Sequence, residues 1–194
     1  MNYRRLILLL AAGAGIAGAA ALGYRTGQRL DAATAAMSDD GILRPAVSEW
    51  LAIPTPVNEV FATLDGGSKL LADYRGQIVV LNFWGTWCPP CIHEIPELVR
   101  LQPYLEEMGG TVLGPAVDSG SSEAITEFAE EMGINYPVFR TTTNQAVGTF
   151  AAVGYPYTLL IDRGGVIRKT YLGPQKMPNL LADVRQLEAE NPGG

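Results

Sequence analysis

The chain is 194 residues long and 47% hydrophobic, enough for one ordinary domain with its own core plus an appendage. A formal net charge of −6, with no basic stripe to neutralise phosphates, argues against nucleic acid as a partner. Two cysteines are too few for a disulfide framework or a four-thiol zinc site, and the one histidine leaves little for a Cys/His cluster.

In chain order, Arg4 and Arg5 come first, followed by Leu6 to Tyr24, nineteen residues without a charge. As a helix this run spans roughly 28 Å, close to the thickness of bilayer hydrocarbon. Residues 1–30 are therefore expected to be a single-pass membrane anchor, with a cleaved signal peptide as the alternative, its A-x-A site at Ala19-Ala20-Ala21. Arg4 and Arg5 face Arg25 and Arg29 across the run, so charge alone leaves the orientation nearly even. Under either reading an export signal fits a domain on the outer, oxidising side. Residues 31–56 read as a linker, polar and Ala-rich at first and ending in Pro54 and Pro56, which favour extended chain.

Residues 57–190 carry the periodicities of a folded domain. Phe61–Leu64 and Lys69–Leu71 flank Asp65-Gly66-Gly67-Ser68, a hairpin signal. Ile78–Phe83 is a short apolar run of the kind buried on both faces at the centre of a sheet. A helix follows on Ile95, Leu98, Val99 and Leu105, stopped by Gly109-Gly110. Thr111–Val117 is the next strand, and Pro115 within it predicts a bulge or a displaced edge, because proline donates nothing to a ladder. Ile125, Phe128, Ala129 and Met132 mark a helix face closed by Gly133, and Tyr136–Arg140 is a short strand. Asn144 is expected to cap a brief helix through Phe150. Tyr157–Ile161 and Val166–Tyr171 form a second hairpin, and Leu180, Leu181, Val184 and Leu187 line the last helix. This order defines an α/β fold with a mixed sheet and helices on both faces. It is a thioredoxin-type order.

The chemistry lies in Trp87-Cys88-Pro89-Pro90-Cys91. Cys88 falls at the strand-to-helix turn, where the first-turn N–H groups and the helix dipole favour an anion, so its thiol is expected below the free value of about 8.5. Cys91, one turn on, is placed to attack a mixed disulfide formed by Cys88. Pro89 and Pro90 fit a first helical turn. Half of a zinc site is the bland alternative, and no second cysteine pair supports it. Trp87, next to the nucleophile, is expected to offer a substrate contact, whereas Trp84 is expected in the core. A first-turn histidine is usually exposed, and His93 receives no role. Pro96 is read as a structural bend in the helix.

The stretch Val79 to Pro96, with its W-C-P-P-C-x-x-E-x-P core, resembles the thioredoxin-like TlpA/ResA/CcmG family of bacterial extracytoplasmic thiol–disulfide oxidoreductases, and the likeness runs from about residue 57 to 187. The resemblance implies a thioredoxin fold with an N-terminal β-hairpin and a helix–strand insert, matched by residues 121–141. It implies a cis-proline at Pro156 facing the cysteines, within Gly154-Tyr155-Pro156-Tyr157-Thr158, where the sequence alone favours an ordinary trans bond. It implies an acidic active-site residue at Glu94, and makes Trp87, Tyr155 and Pro156 the expected substrate contacts. Tyr157 departs from the small residue or threonine usual at its position. No metal and no cofactor beyond the Cys88–Cys91 disulfide is implied. The implied partners are exported protein thiols such as apocytochrome c, and a membrane thiol transporter as electron donor. The implied setting is the bacterial inner membrane, with the domain, expected to be monomeric, in the periplasm. Two other functions compete with this one. A copper metallochaperone on this fold typically uses C-x-x-x-C with a distant histidine, and a peroxiredoxin-type peroxidase needs a threonine where Gly85 stands.

Overall fold

Ile78–Phe83 forms β4, and all six of its side chains are buried, as its β-branched and aromatic composition requires of a central strand. The structure is a computed structural model describing residues 53–55 and 58–190. The anchor or signal segment at 1–30, and the linker at 31–52 and 56, lie outside the described residues. Among the described residues no helix is long and apolar enough to cross a membrane.

One eight-stranded sheet runs in the order β1-β8-β7-β4-β5-β6-β2-β3. Its strands are β1 (Ile53–Pro54), β2 (Val60–Thr63), β3 (Ser68–Leu70), β4, β5 (Gly110–Val117), β6 (Val138–Thr141), β7 (Tyr157–Ile161) and β8 (Val166–Leu172). The helices are α1 (Pro89–Glu107), α2 (Ser122–Glu131), α3 (Thr143–Phe150) and α4 (Met177–Glu190), with a 3-10 turn at Leu71–Tyr74. β4 and β6 each run parallel to β5, and the remaining pairs are antiparallel. The sheet is therefore mixed, as expected.

Alternation divides the core between the two faces of the sheet. Val79, Leu81 and Phe83 point to one side, into a cluster with Phe61, Phe139 and Phe150 of β2, β6 and α3. The Phe61 ring lies 5.6 Å from that of Phe139 and 5.9 Å from that of Phe150. Asn82 and Trp84 point to the other side, under α1, whose buried stripe is Cys91, Glu94, Ile95, Leu98, Leu101, Gln102 and Leu105. α1 stops at Met108 and Gly109, whose φ of 65° suits glycine. There the Arg163 guanidinium donates to the carbonyls of Met108 (2.6 Å), Gly109 (3.2 Å) and Gly76 (2.8 Å) and to the Glu188 carboxylate (2.8 Å). Those bonds satisfy carbonyls that a helix end leaves open.

Three expectations are corrected. Pro115 is neither bulged nor at an edge, because β5 lies inside the sheet and pairs in regular register with β6 through Pro115↔Phe139. Its ladder to β4 lapses after Leu81↔Leu113 and resumes in the same register at Trp84↔Ala116, so the proline removes one rung and no more. The cap of α3 is Thr142, whose hydroxyl accepts from the Gln145 N–H at 3.2 Å, and Asn144 is an exposed first-turn residue. Residues 53–55, assigned to the linker, belong to the sheet. Ile53 and Pro54 pair with β8, and buried Thr55 donates its hydroxyl to the Gly165 carbonyl at 2.8 Å.

Candidate active site

Where β4 ends, Trp84 crosses to pair with Ala116 and sinks its indole into the core, donating Nε1–H to the Gly114 carbonyl at 3.1 Å. The chain then turns, with the Cys88 N–H donating to the Gly85 carbonyl at 3.1 Å, and α1 begins. Cys88 is the N-cap and Pro89 and Pro90 open the helix. Cys88 and Cys91 are joined by a disulfide with an S–S distance of 2.06 Å and a Cα–Cα distance of 5.3 Å.

The local field differs in one respect from the expectation. Two of the first four helical residues are prolines without an N–H, and the N–H groups of Cys91 and Ile92 both donate to the Cys88 carbonyl, at 3.0 and 3.1 Å. No first-turn donor is left free. The electrostatic contribution left at Cys88 is the dipole of the 19-residue helix α1.

Trp87 is 53% exposed, and its Nε1–H donates to the Val117 carbonyl at 3.0 Å. This posture needs Gly85, since a Cβ there would lie 2.7 Å from the indole. The Tyr155 ring meets Trp87 edge-on, with centroids 5.7 Å apart and planes at 84°. The next peptide bond, Tyr155–Pro156, is cis. Phe83 pairs with Tyr157, so the cis-proline loop sits at the end of the sheet from which the cysteine loop emerges. The Pro156 carbonyl accepts from the Gly173 N–H at 2.9 Å. Tyr157 lies half-buried against the phenylalanine cluster.

Beneath the disulfide is a buried carboxylate. Glu94 follows Cys91 by three residues on the same helix face, and its side chain is sealed with the residue 1% exposed. Its Oε2 accepts from Asn82 Nδ2 at 2.9 Å and its Oε1 from the Gln175 N–H at 2.7 Å. Asn82 also donates to the Thr158 hydroxyl at 2.8 Å, across the register pair that joins β4 to β7. Burial pushes the Glu94 carboxyl up to about 7, against the pull of the bonds from Gln175 and Asn82. Tyr136 is a further buried polar neighbour, and its own burial together with the Glu94 charge holds its hydroxyl well above the ordinary tyrosine value.

Sequence reasoning thus selected Cys88, Cys91, Glu94, Trp87, Tyr155 and Pro156, and the fold brings all six to one end of the sheet. It missed Asn82, Thr158 and Gln175. A lone amide inside Ile-Val-Val-Leu-Asn-Phe was the available signal, because a buried amide needs partners. His93 is exposed.

A disulfide at a helix N-terminus, a cis-proline loop beside it and this mixed sheet define the disulfide-exchanging class of thioredoxin-fold proteins. Residues 54–170 match the AhpC/TSA family, which is more than half of the chain, and the chain belongs to that family. It is 34% identical over 134 residues to the thiol-disulfide oxidoreductase ResA of Geobacillus kaustophilus (strain HTA426), covering 69% of this chain and 74% of that one. With ResA of Geobacillus thermodenitrificans (strain NG80-2) it shares 36% over 115 residues, 59% of this chain and 65% of that one, just under two thirds of that relative's length. A solved DsbF homologue from Corynebacterium diphtheriae superposes with a TM-score of 0.62 at 26% identity, covering 75% of this chain and 97% of that one. The domain is a thiol–disulfide oxidoreductase of the ResA type.

Proposed function

We propose that the Cys88/Cys91 dithiol reduces disulfides of exported proteins. Apocytochrome c before haem attachment, or related metalloprotein-assembly proteins, are the substrates, and a membrane thiol transporter restores the dithiol. The domain works on the periplasmic side of the bacterial inner membrane, held there by the N-terminal segment. The observation that carries this reading is the redox pair at the start of α1, with a lip of Trp87 and Tyr155 above it and a buried carboxylate one turn below it.

The chemistry runs in two displacements. The Cys88 thiolate attacks one sulfur of the substrate disulfide, forming a mixed disulfide and releasing one substrate thiolate, which takes up a proton. Glu94, neighbour to Cys91 on the helix face and poised near neutrality, accepts the Cys91 proton. The Cys91 thiolate then attacks Cys88 Sγ, releases the second substrate thiol and leaves the Cys88–Cys91 disulfide. Two electrons pass from the dithiol to the substrate. Trp87, Tyr155 and Pro156 hold the substrate segment against Cys88.

A peroxidase is disfavoured by Gly85. The threonine it needs would bring a Cβ to within 2.7 Å of the Trp87 indole.

The test uses a peptide with an oxidised Cys-x-x-Cys-His, the haem-attachment pattern. Reduced Cys91→Ser protein is expected to accumulate a mixed disulfide through Cys88, and native protein to turn the peptide over. No adduct, or equal adduct from Cys88→Ser, overturns the reading.

A further inference from the structure

Alongside the cysteine loop lies an open cleft of about 590 Å³ that the exchange chemistry leaves unused. Its floor is one register line across four strands: Ala116 pairs with Arg140, Arg140 with Ala62, and Ala62 with Ser68. These side chains alternate with Phe139 and Phe61, which fill the phenylalanine cluster on the opposite face. They therefore point to the face that carries α1 and α2. Ile125 of α2 and Ala116 are buried together in the cluster beneath the disulfide, whereas Arg140, Ala62 and Ser68 are exposed. Small residues on an uncovered sheet face make a flat trough. With strands about 4.8 Å apart, its three gaps span roughly 14 Å, the length of about four extended residues.

The Arg140 side chain stands in the middle of that floor with no hydrogen bond or ion pair among the described residues, and Glu123 is the charge to which it couples at longer range. The other charge in the lining, Asp118, is engaged by the N–H and hydroxyl of Thr143, at 3.1 and 2.6 Å. The end of the cleft at Asp118 and Ser119 is tied to the cysteine loop. Ser119 Oγ accepts from the Thr86 N–H at 3.1 Å, and the exposed Trp87 indole is bonded to Val117.

We infer that this cleft docks an extended segment of the protein substrate next to its reactive cysteine, and that Arg140 selects an acidic side chain in that segment. The inference rests on the reading of the domain as a reductant of exported proteins and names a recognition element for it. One end of the cleft, at Ser119, is bonded to Thr86, two residues before Cys88, so a chain leaving the substrate cysteine over Trp87 runs towards it. Its flat floor accepts an extended strand of small side chains, and its open charge is a guanidinium, which pairs well with a carboxylate.

The test measures how fast the reduced domain releases thionitrobenzoate from peptides of about twelve residues, each carrying that group on one cysteine. A single glutamate or lysine is scanned outward from the cysteine. Native protein is expected to favour glutamate over lysine by about fivefold over one stretch of spacings. Arg140→Glu is expected to invert that preference. Ala62→Phe, which fills the trough, is expected to slow long peptides to the rate of short ones. A free aromatic disulfide without charge, a dithiodipyridine, with no peptide, should react equally with all three proteins. A glutamate-to-lysine ratio within twofold at every spacing overturns the inference, as does a ratio unchanged in Arg140→Glu. If native protein reacts with the free aromatic disulfide no faster than a simple thiol does, the proposed function fails instead.

Discussion

Replacing Glu94 by glutamine isolates the cost of holding a carboxylate under the disulfide. An ordinary glutamate titrates at 4.5, and burial raises Glu94 to about 7. A carboxyl harder to ionise in the folded than in the unfolded state gives stability that is complete below pH 4.5, is lost as pH rises towards 7, and stays lost above it. That gap corresponds to about 3 kcal/mol, most of it falling between those two values. Glutamine removes the titration. It also offers one acceptor where two N–H donors, from Asn82 and Gln175, now point, so one contact is mispaired at a pH-independent cost of about 1–3 kcal/mol. Urea unfolding of the oxidised proteins from pH 4 to 8.5 measures both effects. The variant is expected to be the less stable protein at pH 4, and to gain on the native protein by about 3 kcal/mol by pH 8. A difference between the two curves that stays constant within 1 kcal/mol would refute the buried-charge argument.

Other perturbations test neighbouring parts of the site. Asn82→Leu removes a donor that pulls the Glu94 carboxyl down, so the pH step in stability should move to higher pH, and a step left in place contradicts that role. Gly85→Thr would drive a side chain into the Trp87 indole. It should cost about 1–3 kcal/mol and shift the indole N–H resonance of Trp87, and an unmoved resonance would show that the glycine is not required. Arg163→Met strips the donor from three carbonyls around the end of α1. A loss of about 2–4 kcal/mol in urea is expected, and one below 0.5 kcal/mol would mean that water serves those carbonyls as well.

The parts of this architecture legible in the sequence are those written in neighbouring residues. The run Ile78–Phe83 followed by Cys88, Pro89 and Pro90 states both the buried strand and the helix start, because burial and first-turn proline geometry are local properties. The family resemblance supplied the cis bond at Pro156, which local preferences oppose. Contacts made through sheet register were not legible. Asn82 meets Thr158 across 76 positions, and Gln175 reaches Glu94 across 81, so neither partner shows in a local pattern. The bulge or displaced edge that Pro115 predicts is absent because the β4–β5 ladder loses one rung there and keeps its register. The extended chain that Pro54 favours suits a tether and an edge strand alike, and only the partner β8 separates the two.

Exchange depends on the state of one sulfur at the start of α1, and alkylation of the reduced protein measures it directly. With iodoacetamide over pH 5 to 9, Cys88 should react with a midpoint clearly below about 8.5, and at pH 7 several times faster than a cysteine in an unstructured peptide. Cys91, 1% exposed and beside Glu94, should remain slow throughout. A Cys88 profile that coincides with the free peptide, or a faster reaction at Cys91, would contradict the assignment of Cys88 as the nucleophile.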